Sequence, residues 1–203
     1  MIKRFRYTFT GIVQGVGFRP FVYRVATELD LTGFVLNSPG GVIAEIQGPD
    51  DRAGQFLPRI QNELPPLATL HSVAVTESSL QNEAGFEIRP SRDEGDPQMP
   101  IPPDVGTCAQ CRQELFDPDD RRYRYPFINC TNCGPRLTIV SAVPYDRANT
   151  SMACFPLCST CRSEYEDPGN RRFHAEPNAC ADCGPTLQLL DGNGHDTLAA
   201  DPV

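Results

Sequence analysis

Gly11-Ile12-Val13-Gln14-Gly15-Val16-Gly17-Phe18-Arg19, here called the glycine loop, separates two hydrophobic patterns of different period. Before it, Phe5, Tyr7 and Phe9 alternate with polar residues, which is typical of a half-buried strand. After it, apolar residues recur at the spacing of one helix face. The members of that face are Phe18, Phe21, Val22, Val25, Ala26 and Leu29. The sequence therefore predicts a strand, then the glycine loop, then a helix N-terminus.

The glycine loop has the features of an anion site. The first amides of a helix lack internal hydrogen-bond partners, and glycines allow successive N–H groups to converge on one point. Arg19 lies in the first helical turn and offers a planar fork for two phosphate oxygens. The alternative interpretation is a tight turn beside an exposed arginine.

Two short strands and a turn are predicted after the first helix. Residues 33–37 read Gly-Phe-Val-Leu-Asn, as expected of a short strand, and residues 38–41 read Ser-Pro-Gly-Gly, as expected of a turn. Val42, Ala44 and Ile46 then fall on one face of a partner strand. Together these residues predict a β-hairpin.

A second helix is predicted to follow, with Asp50 and Asp51 as candidate N-caps. Pro58 predicts a late start or a kink in this helix, because an interior proline removes a hydrogen bond. Alternating apolar residues mark the remaining strands at Val73, Val75, Phe86 and Ile88. The order is βαββαβ with an extra edge strand, which predicts an α+β, ferredoxin-like sandwich.

Composition divides the chain into parts. Its 203 residues include 20 prolines and no tryptophan, which argues against one large core. Residues 91–106 are polar and proline-rich, as expected of a semi-rigid linker. We expect domains at residues 1–90 and 107–190. Residues 191–203 carry turn residues with no following element, and we interpret them as the truncated start of a further domain.

Charge and cysteine usage limit the class of protein. The net charge is −8, with most of the acidic excess after residue 90. The sequence has no apolar run of membrane-spanning length and no leader pattern, so a cytoplasmic protein without a membrane partner is expected. All nine cysteines lie between residues 108 and 183. In a chain without an export signal this favours metal ligation over disulfides.

An internal repeat covers residues 107–190. Four cysteines recur fifty positions later: Cys108, Cys111, Cys130 and Cys133 become Cys158, Cys161, Cys180 and Cys183. Each unit reads CxxC, eighteen residues, CxxC, which is the spacing of a four-cysteine zinc site. The sequence therefore predicts a duplicated small zinc-binding domain with two Zn²⁺ ions. Free thiols, disulfides or an iron–sulfur centre are the alternatives.

The pairing of the cysteines is left open by the sequence. Duplication favours consecutive pairing within each unit, whereas a nested arrangement would join the two outer CxxC pairs and the two inner ones. Loop-closure entropy hardly distinguishes them. Four thiolates fill the coordination sphere, so we expect structural zinc that supplies much of the folding free energy of this region.

The zinc units are not expected to bind nucleic acid. Four thiolates around one divalent ion leave a net charge of about −2, on a segment that is already acidic, which disfavours phosphate contacts. The repeated arginine pairs, residues 121–122 and 171–172, are expected to contact a protein or another domain. Cys154 is expected in a core, and His174 in solvent or in a hydrogen bond.

Asn37 is the polar side chain that ends the strand after the first helix. If the glycine loop holds a phosphoryl group, the Asn37 amide can hold a water molecule in line with the phosphorus. Asparagine is no strong base, so the leaving group must depart without a proton, as in an acyl phosphate such as carbamoyl phosphate. The alternative is an asparagine that caps the hairpin.

The glycine loop, residues 33–37 and the Gly40-Gly41-Val42 turn together resemble the acylphosphatases over residues 1–90. The resemblance implies an acylphosphatase-type fold in which Arg19 and Asn37 are catalytic and Asn37 orients the attacking water. The implied phosphate-binding residues are Gln14, Gly15, Val16, Gly17, Phe18 and Arg19. With the duplicated cysteine units, the chain further resembles the first part of the HypF-type carbamoyltransferases of nickel–iron hydrogenase maturation.

This second resemblance implies a reaction and a partner. Carbamoyl phosphate would be hydrolysed to carbamate and phosphate, as the first step toward carbamoylation of the C-terminal cysteine of a HypE-type protein and synthesis of cyanide ligands. The ATP-dependent transfer belongs to domains outside this chain and is not expected in it. The competing hypothesis is a non-catalytic, zinc-scaffolded adaptor that binds a partner protein.

Overall fold

The computed structural model describes residues 1–92 and 100–196. Its first part contains a sheet and two helices. In chain order these are β1 (Ile2–Ile12), α1 (Phe18–Glu28), β2 (Thr32–Ser38), β3 (Gly41–Pro49), α2 (Asp50–Asn62), β4 (Thr69–Glu77) and β5 (Phe86–Ile88). The sheet order is β4-β1-β3-β2-β5, in which β5 runs parallel to β2 and the other neighbours are antiparallel. The ferredoxin-like α+β prediction is confirmed, with β5 as the extra edge strand.

The core lies between the two helices and one face of the sheet. Every residue of the predicted α1 face is buried there, which confirms the helical pattern read from the sequence. The strands contribute alternate residues to the same core, among them Tyr7, Phe9 and Val35. Phe34 and Leu36 point to the opposite face of β2 and belong to a separate small cluster.

Helix α2 differs from its prediction at two points. It starts at Asp50 and continues past Pro58, so the late start that the sequence offered as one alternative is wrong. Gly54, whose carbonyl loses its hydrogen bond to Pro58, is exposed, so water can replace the missing donor. The N-cap position is Pro49, and Asp50 and Asp51 lie in the first turn, where their charge favours the helix dipole.

The second part of the chain is built around two short helices, α3 (Ala109–Phe116) and α4 (Ser159–Glu166). Each begins directly after the first cysteine of a CxxC pair. The Cys108 and Cys158 sulfurs cap these helices by accepting a hydrogen bond from the amide three residues later, at 3.5 Å in both cases. Besides cysteine, the region buries few apolar side chains: Tyr125, Ile128, Tyr145, Met152, Phe173, Ala175 and Ala179.

Several predictions about this second part have different outcomes. Cys154 is exposed, so its assignment to a core is wrong; it is the last residue of a short 3-10 turn, Ser151–Cys154, and its side chain lies at the surface. Of the predicted linker, residues 93–99 lie outside the described residues, and Val105 pairs with Gly134. Of the predicted further domain, residues 197–203 lie outside them as well. Among the described helices, none is long and apolar enough to cross a membrane.

The two parts of the chain pack directly on each other across the glycine loop. Arg136 is buried and donates from Nε to the Gly15 carbonyl at 2.8 Å. Gly17 has φ +73°, and a Cβ there would lie 3.2 Å from the Thr131 side chain. The left-handed backbone favours glycine at this position, and a side chain there would also crowd Thr131 of the second part.

Candidate active site and metal centres

The glycine loop presents free main-chain donors at the start of α1. Gly15 and Gly17 both adopt positive φ, at +68° and +73°, and Gly17 occupies the N-cap position. Within the described ranges, the backbone amides of Gly15, Val16 and Gly17 donate no hydrogen bond. Together with the positive end of the helix dipole, they can serve an anion.

Gln14 ties the glycine loop to the β2–β3 hairpin. Its side-chain nitrogen donates to the carbonyls of Ser38 and Gly41 at 2.8 and 3.0 Å. Its side-chain oxygen accepts from the Tyr145 amide at 3.0 Å. Both ends of the Gln14 amide are thus hydrogen-bonded. These bonds hold the end of β2, which carries Asn37, beside the glycine loop.

Arg19 and Asn37 converge on one point. Both side chains donate to the same acceptor, the carbonyl oxygen of Tyr145, Arg19 at 3.4 Å and Asn37 at 3.3 Å. Asn37 is buried, and its side-chain oxygen has no hydrogen-bond partner among the described residues. A buried acceptor without a donor costs about 1–3 kcal/mol. The site therefore favours a bound donor such as water at the Asn37 oxygen.

The guanidinium of Arg19 is held by two carboxylates from the second part of the chain. Nη1 lies 2.8 Å from Asp146 and Nη2 lies 2.7 Å from Glu176. The other Glu176 oxygen accepts from the Tyr165 hydroxyl at 2.8 Å and from the Arg147 amide at 2.9 Å. The predicted phosphate-binding arginine is therefore inside an ion-pair network between the two parts, which the sequence did not predict.

Burial and charge act against each other in this network. Burial disfavours the charged form of Arg19, but the carboxylates of Glu176 and Asp146 outweigh it, so the pKa of Arg19 is raised. Burial raises the pKa of the Glu176 carboxyl above its ordinary value. Each charge thus depends on its partner, and removal of one leaves the other buried without compensation.

His174 lies at the edge of the same site. It lines a small cavity together with Arg19 and Glu176. Its ring packs against Tyr165 and Phe173, with ring centres 4.9 and 4.7 Å away, and its Nδ1 is buried without a hydrogen-bond partner among the described residues. The His174 side chain is partly buried, and Nδ1 does not take the hydrogen bond that the sequence analysis gave as one alternative.

We expect the imidazole of His174 to titrate well below the ordinary range of histidine. Burial, and then the charge of Arg19, lower the pKa of His174 from 6.5 to about 4. The folded ring stays neutral while the unfolded ring takes up a proton below about 6.5, so stability is lost as the pH falls from 6.5 to 4. NMR titration of the ring protons measures this pKa. A midpoint near 6.5 would contradict the burial of the ring, and His174→Gln should remove this acid sensitivity.

Three residues of the site were missed by sequence reasoning: Tyr145, Asp146 and Glu176. For Glu176 a signal existed, because the second repeat unit reads His174-Ala175-Glu176 where the first reads Arg-Tyr-Pro at residues 124–126. A carboxylate present in only one copy of a repeat indicates a task specific to that copy. Tyr145 and Asp146 lie between the two repeat units, and no pattern in the sequence marks them.

The cysteines form two separate clusters. One contains Cys108, Cys111, Cys130 and Cys133, and the other contains Cys158, Cys161, Cys180 and Cys183, with all sulfurs of a cluster within 4.8 Å of one another. This grouping is the consecutive one. None of the nine cysteines forms a disulfide.

The geometry of these clusters fits a tetrahedral metal. Hydrogen-bonded sulfur pairs within them are 3.5–3.9 Å apart. A zinc–sulfur distance of about 2.3 Å gives a tetrahedral edge of about 3.8 Å. The donor set and spacing therefore suit Zn²⁺ bound by four thiolates.

Comparison with protein families agrees with this division of the chain. The acylphosphatase model matches residues 5–88, and the HypF finger model matches residues 107–140 and 157–190. An acylphosphatase from Caldivirga maquilingensis is 43% identical over 89 residues, which cover 42% of this chain and 93% of that protein.

Longer relatives match both parts together. The carbamoyltransferase HypF of Synechocystis is 49% identical over 155 residues, covering 76% of this chain and 20% of that protein. A crystal structure of full-length HypF in a phosphate- and nucleotide-bound form superposes with a TM-score of 0.87 at 45% identity, covering 93% of this chain and 25% of that one. The structure of HypF from T. kodakarensis superposes with a TM-score of 0.83 at 48% identity, covering 93% of this chain and 24% of that one. The chain thus spans about a fifth to a quarter of the length of these relatives.

Proposed function

This chain belongs to the acylphosphatase family and carries the tandem HypF finger, and from that premise we propose that it is the acyl-phosphate-cleaving part of a HypF-type carbamoyltransferase. The observation that carries the proposal is the convergence of Arg19 and Asn37 on one point at the glycine loop. The substrate we propose is carbamoyl phosphate. A phosphate-bound full-length HypF among the structural relatives supports a phosphate-type ligand.

The proposed reaction is an in-line attack of water on phosphorus. The amides of residues 15–18 and the Arg19 fork would hold the phosphoryl oxygens, and the unpaired Asn37 oxygen would accept a hydrogen bond from the attacking water. A bond forms between the water oxygen and phosphorus while the bond from phosphorus to the carbamoyl oxygen breaks; the carbamate keeps the electron pair of that bond, and the protons of the water stay with the phosphate product. The products are inorganic phosphate and carbamate, and the carbamate leaves without a general acid.

The product has a place in a longer sequence of reactions. In the proposed enzyme the carbamate is activated with ATP and the carbamoyl group passes to the C-terminal cysteine of a HypE-type partner, toward cyanide-ligand synthesis. We propose that this chain performs the hydrolytic step alone. Its cysteine clusters would hold two structural Zn²⁺ ions, since four thiolates leave no position for a substrate.

Substrate must compete with the carboxylates that now hold Arg19. Asp146 and Glu176 use the same guanidinium nitrogens that a phosphate needs. We therefore propose that phosphate binding displaces them, and that the second part of the chain controls access to the glycine loop.

Removing the second part should increase activity. Residues 1–90 are the test piece, because the Caldivirga acylphosphatase consists of little more than this domain. We expect residues 1–90 to bind inorganic phosphate at least about tenfold more tightly than the whole chain, the equivalent of one charge-assisted contact of about 1.5 kcal/mol. Calorimetric phosphate binding and phosphate release from carbamoyl and acetyl phosphate measure the effect.

A matched pair of variants separates the effect of the Glu176 charge on phosphate binding from the effect of the other residues of the second part. Glu176→Gln in the whole chain keeps the shape and removes the charge that competes for Arg19, so phosphate binding should tighten. Glu166→Gln, at an exposed carboxylate on α4, should leave it unchanged. Equal phosphate affinity in the whole chain, in Glu176→Gln and in residues 1–90 would mean that the carboxylates do not compete.

The same ion pairs favour a second candidate function. If Arg19 serves only to fasten the two parts together, the chain is a non-catalytic, zinc-scaffolded adaptor for a partner protein. That function requires neither the unpaired Asn37 oxygen nor free amides in the glycine loop. It predicts no phosphate release from any acyl phosphate by residues 1–90, whereas the hydrolase proposal requires it.

A further inference from the structure

The repeated arginine pairs of each finger unit contact the other finger unit. Arg121 of the first unit lies 3.0 Å from the Cys180 sulfur, 3.4 Å from Cys161 and 3.5 Å from Cys158, all in the second unit. Arg171 of the second unit lies 2.9 Å from the Cys111 sulfur of the first. Each unit therefore points an arginine at the thiol cluster of the other.

The neighbouring arginines cross in the same way. Arg122 contacts Glu164 in the second unit, and Arg172 contacts Glu114 in the first. Glu114 and Glu164 are themselves fifty residues apart, as are the arginines, so the exchange repeats the internal duplication. Two equivalent sets of contacts made in opposite directions indicate a pseudo-symmetric, interlocked pair of fingers.

The negative charge of each four-thiolate site explains why an arginine lies beside it. A divalent ion bound by four thiolates carries a net charge of about −2, and several of these sulfurs are buried. A buried negative group is costly unless a cation or hydrogen-bond donors compensate it. The guanidinium supplies both, and its planar set of donors reaches three sulfurs at once in the case of Arg121.

We propose that Arg121 and Arg171 are positioning residues that stabilise the metal-bound thiolates of the opposite finger, so that neither finger retains its metal fully without the other. Because Arg121 contacts three sulfurs and Arg171 contacts one, the second finger depends on the first more than the first depends on the second.

The test follows each cysteine separately. The whole chain, loaded with Zn²⁺, is exposed to excess EDTA and N-ethylmaleimide, and peptide mass spectrometry records the alkylation of every cysteine over time. Cys154 is exposed and outside both clusters, so it reports the unprotected rate in the same sample. Arg121→Ala should speed alkylation of the second-finger cysteines about 10- to 100-fold, the usual cost of losing a group that supports metal ligands. Arg171→Ala should do the same, more weakly, to the first finger.

Control variants keep the proposal falsifiable. Arg112→Ala removes an exposed arginine of the first unit and should change neither finger. Arg121→Lys keeps the charge without the fork and should speed second-finger alkylation less than alanine does. If the alanine variants do not fold, the lysine variants still show which finger weakens. Faster alkylation in the arginine's own finger, equal acceleration in both fingers, or no acceleration would each overturn the proposal.

Discussion

Arg19→Ala in residues 1–90 is expected to lower acyl phosphate hydrolysis by about 10²–10³-fold, the usual loss when one donor to a developing oxyanion is removed. The guanidinium would supply two of the donors to the phosphoryl group, and no other basic side chain lies in the glycine loop to replace it. Phosphate release from carbamoyl phosphate measures the rate, and calorimetry measures the affinity for inorganic phosphate, which should fall with it.

This variant must be made without the second part of the chain. In the whole chain, Arg19→Ala would leave Glu176 buried without its cation, so a loss of activity there would mix catalysis with unfolding. In residues 1–90 the partner carboxylates are absent and the interpretation is direct.

Two further variants separate the charge of Arg19 from its hydrogen-bond geometry, and phosphate binding from the positioning of water. Arg19→Lys keeps the charge but not the fork and should restore only part of the rate. Asn37→Ala should lower the rate while phosphate affinity stays unchanged, because Asn37 is proposed to hold water and not phosphate. If Arg19→Ala hydrolyses acyl phosphates as fast as the unaltered domain, the assignment of the glycine loop as the active site is wrong.

Removal of the metal is expected to unfold residues 107–190 while the sheet domain stays folded. The finger region has a small apolar core to which its cysteines contribute, and a structural zinc site provides about 10–16 kcal/mol of binding free energy that is also folding free energy. The sheet domain has its own core between α1, α2 and the sheet, with no cysteine in it. Chelation should therefore collapse the amide NMR signals of the fingers into the narrow range of an unfolded chain. The signals of residues 1–90 should stay dispersed.

Chelation should also open the active site. Asp146 and Glu176 are held in place by the finger region, so its unfolding releases Arg19 and should raise phosphate affinity toward that of residues 1–90. Cys108→Ser with Cys158→Ser provides a version that needs no chelator and should behave in the same way. A finger region that stays folded after metal removal would contradict a structural role for the ions.

The covered arginine changes how this domain is understood. In the Caldivirga acylphosphatase, the part that matches this domain covers 93% of the protein. In this chain the second part packs against the glycine loop through Arg136, Tyr145 and Thr131. The loop is therefore a packing surface as well as the phosphate site we propose, and the two uses would compete for Arg19.

The sequence predicted the sheet domain well because its strands, helices and turns are specified by residues close together in the chain. The alternation in β1, the helical face of α1 and the glycine turn each arise from a few consecutive residues, and the structure has them as predicted. The differences arose where solvent access and side-chain packing decide the outcome. Pro58 stays within α2, where the exposed Gly54 carbonyl can bond water, and the Nδ1 atom of His174 is buried beside two aromatic rings.

By itself the sequence determined the α+β fold, the glycine loop and the eight cysteines of two four-cysteine units, since each depends on short-range spacing and backbone chemistry. Only the tertiary structure decided that Arg19 is paired with Asp146 and Glu176, more than a hundred residues away, and that the fingers exchange arginines. Such ion pairs form where folding buries opposite charges together. No pattern along the chain encodes which distant charges will meet, because their meeting depends on how two separately folded parts pack.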